Sequence, residues 1–294
     1  MPNILNTTHM EGRTLDLLLD IVKGRSVLAK LTGQIPLRFE GADVATICLD
    51  NEADLVGEGA AKSNGGATMN HQLIKPVKFE YGTRVTDEFM YMDAEGQVSI
   101  LESFVNGMAK KFARALDIAA LHGMNPRTST ASTLIGTNYF DALVTNVVPA
   151  TADIYNDVNA AITLLHNSDQ EISGAAFSPA ALHALANVQD TTKRPLFPET
   201  GWGLDVTNIK GLPVAASSTV SFAESGLLAV VGDFENGFKY GVAKSVPMKM
   251  IECGDPDNTG RDLAGHNEVY LRGEIFYGWA ILSPDSFVIV KTDD

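Results

Sequence analysis

Between Ser99 and His122 the residues Leu101, Phe104, Val105, Met108, Phe112, Ala115, Leu116 and Ala119 recur at i, i+3, i+4 and i+7, the spacing of one long amphipathic helix. Lys110, Lys111 and Arg114 fall on its other faces. Ser99 and Glu102 offer a capping box, Asp93 offers an earlier start, and Gly123 supplies the C-terminal stop. At about 1.5 Å per residue the helix spans roughly 35 Å, enough to serve as the spine of a flat subunit.

What precedes the spine has no evident core of its own. Pro36 to Asp50 reads as strand, with Leu37 and Phe39 alternating with Arg38 and Glu40 before the β-prone run Val44 to Leu49. A second alternating run covers 73 to 86, where Val77, Phe79, Tyr81 and Val85 face one way and Lys78 and Glu80 the other. Between them Gly57, Gly59, Gly65 and Gly66 mark a turn-forming tip over Asn51 to Gln72. The segment therefore predicts one long two-stranded hairpin, which needs a surface to lie on because two strands alone are marginal in water.

Charge divides along that hairpin. Residues 40 to 61 carry Glu40, Asp43, Asp50, Glu52, Asp54 and Glu58 with no Lys or Arg, whereas residues 62 to 84 carry Lys62, Lys75, Lys78 and Arg84 against Glu80 alone. Opposite limbs of opposite sign can pair within the hairpin or with adjacent subunits. Ahead of it, Leu15, Leu17, Leu18, Leu19, Val22, Val27 and Leu28 form a helix-like run in an N-terminal arm too short to carry a core, which must pack on its own body or on a neighbour.

After the spine, 125 to 150 reads as loop with a short β element around Ala142 to Val148. A helix over Ile154 to Leu165, a buried strand Gly174 to Phe177 and a helix opening at Pro179 follow, an alternation that predicts an α/β lobe. Turn-rich sequence fills 193 to 215. Strand-like runs recur at Leu227 to Val231, Phe238 to Ala243, Val246 to Ile251, Glu268 to Leu282 and Phe287 to Val290.

Composition narrows the function. The chain has 294 residues, 45% hydrophobic and 20% charged, with 22 basic against 36 acidic residues and a net charge of −14. That balance disfavours a nucleic-acid reader but suits a container past which nucleic acid slides. No stretch approaches the roughly 20 apolar residues of a membrane helix, and the charged opening residues argue against a signal peptide. The two cysteines, Cys48 and Cys253, lack any ligand spacing and read as reduced, buried thiols. Nucleophile elbows, zinc-protease, phosphate-loop and dinucleotide motifs are missing, Gly201-Trp202-Gly203 resembling the last only superficially. Asn6-Thr7-Thr8 fits a glycosylation triplet and is uninformative. The six histidines, His9, His71, His122, His166, His183 and His266, form no local metal pair. No catalytic residue, metal ligand or cofactor is expected.

One acidic segment merits its own reading. Asp255-Pro256-Asp257-Asn258-Thr259-Gly260-Arg261-Asp262 has the spacing that opens an EF-hand loop, with Gly260 at the sixth position. Its twelfth position is His266 where a bidentate Glu belongs, and no helix pattern flanks it. A solvated acidic turn accounts for it better.

Seven phrases, in order, resemble the tailed-phage major capsid family with the Hong Kong 97-type fold. They are Gly57-Glu58-Gly59-Ala60-Ala61-Lys62, Lys75-Pro76-Val77-Lys78-Phe79, the spaced Asp117, Ala119, Leu121 and Gly123, Pro195-Leu196, Gly211-Leu212-Pro213-Val214, Gly232-Asp233-Phe234, and Ser283-Pro284-Asp285-Ser286-Phe287. The resemblance implies an α+β chain made of an N-terminal arm (1–35), an extended E-loop hairpin and its base (36–85), a P-domain spine helix (86–124), an α/β A-domain (125–240) and P-domain return strands (241–294). It further implies hexamers and pentamers closing an icosahedral shell around double-stranded DNA, assembled in the bacterial host cytoplasm and found in the virion. Partners would be other copies of itself, a portal, separate scaffolding or decoration proteins, and DNA held by weak non-specific contact, with no membrane.

Under that resemblance Glu52, Asp54, Glu58, Lys62, Lys75, Lys78, Arg84, Lys110, Lys111 and Arg114 are the expected inter-subunit contacts. Some relatives join subunits by lysine-to-asparagine isopeptide bonds, for which Lys62 and Asn258 are the candidates. Many members begin with a helix-rich scaffolding segment of roughly a hundred residues, whereas this sequence starts at the arm. Two other readings stay open: an encapsulin-like nanocompartment shell of the same fold, and an α/β enzyme with dispersed active-site residues.

Overall fold

A computed structural model describes residues 18, 20–49, 51–200 and 205–292 of the chain. Leu15, Leu17 and Leu19 of the arm, Asn6-Thr7-Thr8, Asp50 and Gly201-Trp202-Gly203 lie outside them. Helical residues 20–25 (α1) and the short helix Val27–Leu31 (α2) come first. Leu18, Val22, Val27 and Leu28 are at most 2% exposed and join the largest core, so this part of the arm packs on its own subunit.

The hairpin differs from its sequence reading. After β1 (Gln34–Pro36), strand β2 (Ala42–Leu49) pairs with β3 (Ala67–Ile74), residues that the sequence placed partly in the turn. The next strand, β4 (Val77–Thr86), leaves the hairpin. Lys75-Pro76 separates the two strands, and a proline offers no N–H to continue a ladder. Along β4, Val77 and Phe79 pack against the core, but Tyr81 lies at the surface against Phe104.

The spine α3 spans Ala94–His122, starting at Asp93, whose carboxylate accepts from Gly96 N at 3.0 Å. Ser99 thus lies inside the helix, which at about 1.5 Å per residue is roughly 43 Å long. Gly123 ends it at φ 66°, and a Cβ there would sit 2.4 Å from the Tyr139 ring. A small ladder of β5 (Met124–Asn125) and β6 (Thr130–Ala131) follows. The β element read at Ala142 to Val148 divides into α4 (Phe140–Leu143) and β7 (Val147–Pro149). Burial decides this: Phe140 stacks with Phe234, Phe238 and Phe287 at centroid distances of 6.1, 5.4 and 4.9 Å.

The α/β lobe holds α5 (Ile154–Asn167), β8 (Gly174–Phe177), α6 (Pro179–Ala186), β9 (Asn208–Ile209), β10 (Leu212–Ala216) and β11 (Leu227–Gly232). Asp153 and Ser178 cap its two helices, with Pro179 in the first turn of α6. The four-residue α7 (Phe234–Gly237) leads into β12 (Phe238–Ile251), one bulged strand where the sequence suggested two. Then come β13 (Glu268–Ile281) and β14 (Phe287–Lys291).

Two sheets organise the molecule. One has the order β1-β12-β13-β4, with β4 antiparallel to β13 from Thr86↔Glu268 to Val77↔Tyr277. The other has the order β7-β14-β11-β8-β10-β9. Strand β14 was expected among the return strands yet pairs with β11 and β7 of the α/β lobe. Strands β8, β11 and β14 are buried on both faces, which explains their unbroken apolar sequence. Ala176, Val230 and Ile289 face the core shared with α2 and α3, while Ala175, Val231 and Val290 face α5 and α6.

Candidate functional site

Three constructions leave or lock surface. The first is the hairpin. Its root is fixed by Leu37, Ile74 and Ala280, with Ala42 and Val44 packed against them. Beyond the root, alternate residues of β2 and β3 share one face, in the register Asp43↔Leu73, Ala45↔His71, Ile47↔Met69 and Leu49↔Ala67. On that face Ile47, Leu49, Met69 and Leu73 are 62%, 80%, 57% and 53% exposed. His71 Nδ1 meets Asp43 Oδ2 at 3.1 Å beside the stripe. Residues 51–65 are exposed throughout, Leu55 and Val56 among them. Four large apolar side chains in one row on water-facing strands form a patch that the isolated chain leaves uncovered.

The second is a knot at the end of the β12–β13 hairpin. Arg84 of β4 reaches into the acidic segment, and its Nη2 lies 2.8 Å from Asp255 Oδ1, 2.5 Å from Asp257 Oδ1, 2.7 Å from Thr259 Oγ1 and 2.9 Å from the Arg261 carbonyl. These are the first, third, fifth and seventh positions of the EF-hand spacing, the seventh acting through its backbone oxygen as in a calcium loop. Arg84 Nε also donates to Asp257 Oδ2 at 2.9 Å, and Nη1 to Glu268 Oε2 at 3.0 Å. The expected solvated turn is therefore wrapped around a guanidinium. Arg84 holds the Asp257 carboxyl well below the usual carboxylate range, and the same bonds raise the guanidinium's own pKa.

The third joins arm and spine. The Asp117 carboxylate, fully buried, accepts from Ser26 Oγ at 2.5 Å, Val27 N at 3.0 Å, Leu28 N at 3.3 Å and Thr219 Oγ1 at 3.1 Å. Ser26 in turn accepts from Ala29 N. The free N–H groups of the first turn of α2 are thereby satisfied from the spine. Burial pushes the Asp117 carboxyl up to about 6, against the opposing pull of these donors.

Phage capsid family is the description of the family model that matches residues 17–292. The chain belongs to the phage capsid family. No curated protein matches it. Among solved structures, one from Mycobacterium phage Ogopogo is 30% identical with a TM-score of 0.76, covering 92% of each chain. One from Gordonia phage Cozz is 25% identical with a TM-score of 0.76, covering 92% of this chain and 87% of that one. One titled "Capsid of empty GTA particle computed with C5 symmetry" is 16% identical at a TM-score of 0.62 and shares the fold. The protein is a phage major capsid protein of α+β architecture, a structural component of the virion.

The residues expected to contact neighbours in this capsid protein divide into three groups. Glu52, Asp54, Glu58 and Lys62 lie exposed in the hairpin's distal loop, and Lys75 is exposed after β3. Lys78 and Arg84 are engaged within the chain, Lys78 with Glu274 at 2.9 Å and Arg84 in the knot. Lys110 and Lys111 are exposed on the spine, where Arg114 is half-buried and donates to Ser218 Oγ at 2.8 Å. Lys62 and Asn258 are both exposed, and no bond joins them among the described residues. Cys253, expected to be buried, is exposed, because it sits where β12 runs out into the knot; the side chain of Cys48 lies outside what is described. Among the described residues no helix is long and apolar enough to cross a membrane, and no group of His, Cys, Asp and Glu could hold a metal ion.

Sequence reasoning missed the apolar stripe and the Asp117 clasp. The stripe had a signal, since Ile47 and Leu49 alternate with period two, but Met69 was read as turn and Leu73 as the start of the next strand. Asp117 had only its place in the family phrase, because a carboxylate one turn from the end of a helix ordinarily faces water.

Proposed function

We propose that this capsid protein assembles as hexamers and pentamers into an icosahedral shell enclosing phage double-stranded DNA, without catalytic activity of its own. The apolar stripe Ile47, Leu49, Met69 and Leu73 carries the reading. A hairpin held only at its root, with exposed side chains aligned on one face, suits burial against a neighbouring subunit, where stability comes from area removed from water. Heterologous contacts of this kind close into rings by rotation.

Glu52, Asp54, Glu58, Lys62 and Lys75 are the charged contacts we assign to that interface. Lys78 and Arg84 act within the subunit instead, shaping the surfaces that neighbours meet. Portal, scaffolding or decoration proteins complete the particle, and assembly takes place in the host cytoplasm. Electron microscopy of the purified full-length protein tests the reading: capsomers or hollow particles are expected. A strictly monomeric species at every concentration, with or without a scaffolding protein, would overturn it. Particles carrying an enzyme cargo in place of DNA would move the assignment to a compartment shell.

A further inference from the structure

The exposed face of the spine between residues 103 and 116 carries Lys110, Lys111 and Arg114 and no carboxylate. Arg25, also exposed, stands on α1 across from it. Between the two helices lies an open groove of about 300 Å³ lined by Ile21, Gly24, Arg25, Asn106 and Lys110. Its wall is low on the α1 side, where a Cβ added at Gly24 would meet nothing within 4 Å.

The charge of this face is opposite in sign to that of the chain as a whole. The chain has a net charge of −14, and several cations elsewhere are matched, as in Lys78–Glu274, Lys291–Asp141, Lys30–Asp205 and the Arg84 knot. None of Arg25, Lys110, Lys111 and Arg114 is within ion-pair distance of a carboxylate among the described residues. Asp117, three residues after Arg114, is buried under the arm, and the next acids in sequence, Asp20 and Glu102, stand at the N-terminal side of the group. Unpaired like charges gathered on one face repel one another and gain when an anion is supplied from outside.

We propose that the α1–α3 groove is a phosphate-contact site, at which the shell's inner face meets the backbone of packaged duplex DNA. This rests on the shell reading above. The backbone is a line of phosphates, matched by cations on two neighbouring helices with Asn106 between them as a neutral donor. The contact is independent of base sequence, because nothing in the groove is shaped to read a base edge. With only three or four cations it is weak and sensitive to salt, which suits DNA that must move during packaging.

The test uses full-length protein before shell closure and a short fluorescent duplex, with affinity followed against salt. Three phosphate contacts give a slope of about −2.7 in log K against log salt, or about a forty-fold loss between about 50 and about 200 mM. In the variant Arg25→Gln, Lys110→Gln, Lys111→Gln that slope should nearly vanish, and Lys110→Glu alone should weaken binding at least tenfold at low salt. The pair Lys193→Gln, Arg194→Gln, on the turn after α6, changes exposed charge elsewhere and should bind as the parent does. Duplex binding unchanged in both groove variants would overturn the site while leaving the shell reading intact if those variants still form particles. Failure of the parent to form particles would strike the shell reading whatever the duplex does. Competition by poly-glutamate as strong as by unlabelled duplex would assign the groove to an acidic protein partner and overturn the DNA assignment.

Discussion

Ser26 Oγ donates a 2.5 Å hydrogen bond to Asp117 Oδ1, tying the arm to the spine helix across 91 positions of sequence. Asp117 also caps α2 through Val27 N and Leu28 N and takes a fourth bond from Thr219. Replacing it with Ala orphans four buried donors, each costing about 1 to 3 kcal/mol when left unpaired. Asp117→Ala should therefore be severely destabilised in urea titration and cut early by protease within residues 20–31. A midpoint equal to the parent's would show that the clasp holds nothing.

The same carboxyl predicts a pH dependence. It stands at about 6 when folded, against an ordinary aspartate value of 3.8, so between these values the folded state holds more protons than the unfolded one. Its contribution is complete below about pH 4 and is lost as pH rises through about 6, for a total of order 3 kcal/mol. Unfolding midpoints at pH 4.5 and pH 7, compared between the parent and Asp117→Asn, isolate the effect from carboxylates such as Asp257 and Glu274, whose pKa values move the other way. The parent should gain more than the variant on acidification.

Arg84 supplies from within the chain the cation that a calcium loop takes from solution. In Arg84→Ala, amide hydrogen exchange across 254–262 should accelerate strongly, since Asp255 and Asp257 then lose their cation while Arg261 stays paired with Glu268. Arg84→Lys should recover little, because one ammonium cannot replace a planar fork of five donors. Chelator added to the parent protein should leave the exchange pattern unchanged; acceleration on chelation would place a metal in the knot.

Gly123 has two reasons to be glycine: its φ of 66° and the Tyr139 ring 2.4 Å from where a Cβ would stand. Gly123→Ala should cost at least about 2 kcal/mol, from left-handed strain and overpacking together. Gly107→Ala, on an open face of the same helix, is the comparison and should be neutral or stabilising by about 1 kcal/mol. Similar losses at both positions would dismiss the argument.

The hairpin stripe separates folding from assembly. Ile47 and Met69 are paired and more than half exposed, so Ile47→Asp or Met69→Asp should change subunit stability by no more than about 0.5 kcal/mol. Particle formation should nevertheless fail, as followed by sedimentation. Normal particles from both variants would remove the stripe from the interface.

Local patterns of the sequence settled much of this protein. The 3.6-residue period of the spine, the four-residue buried strand Gly174–Phe177 and the proline-opened α6 are all written within their own segments, because apolar spacing and caps act between near neighbours. Tertiary structure decided whatever depended on distant partners. It sent β4 to β13 instead of to the hairpin and carried β14 into the α/β lobe. It turned an acidic segment into a clasp around Arg84 and buried Asp117 under the arm. In each case an open hydrogen-bonding edge or an uncompensated charge had several possible partners along the chain. Burial in the folded state, which makes leaving such a group unpaired costly, selected one.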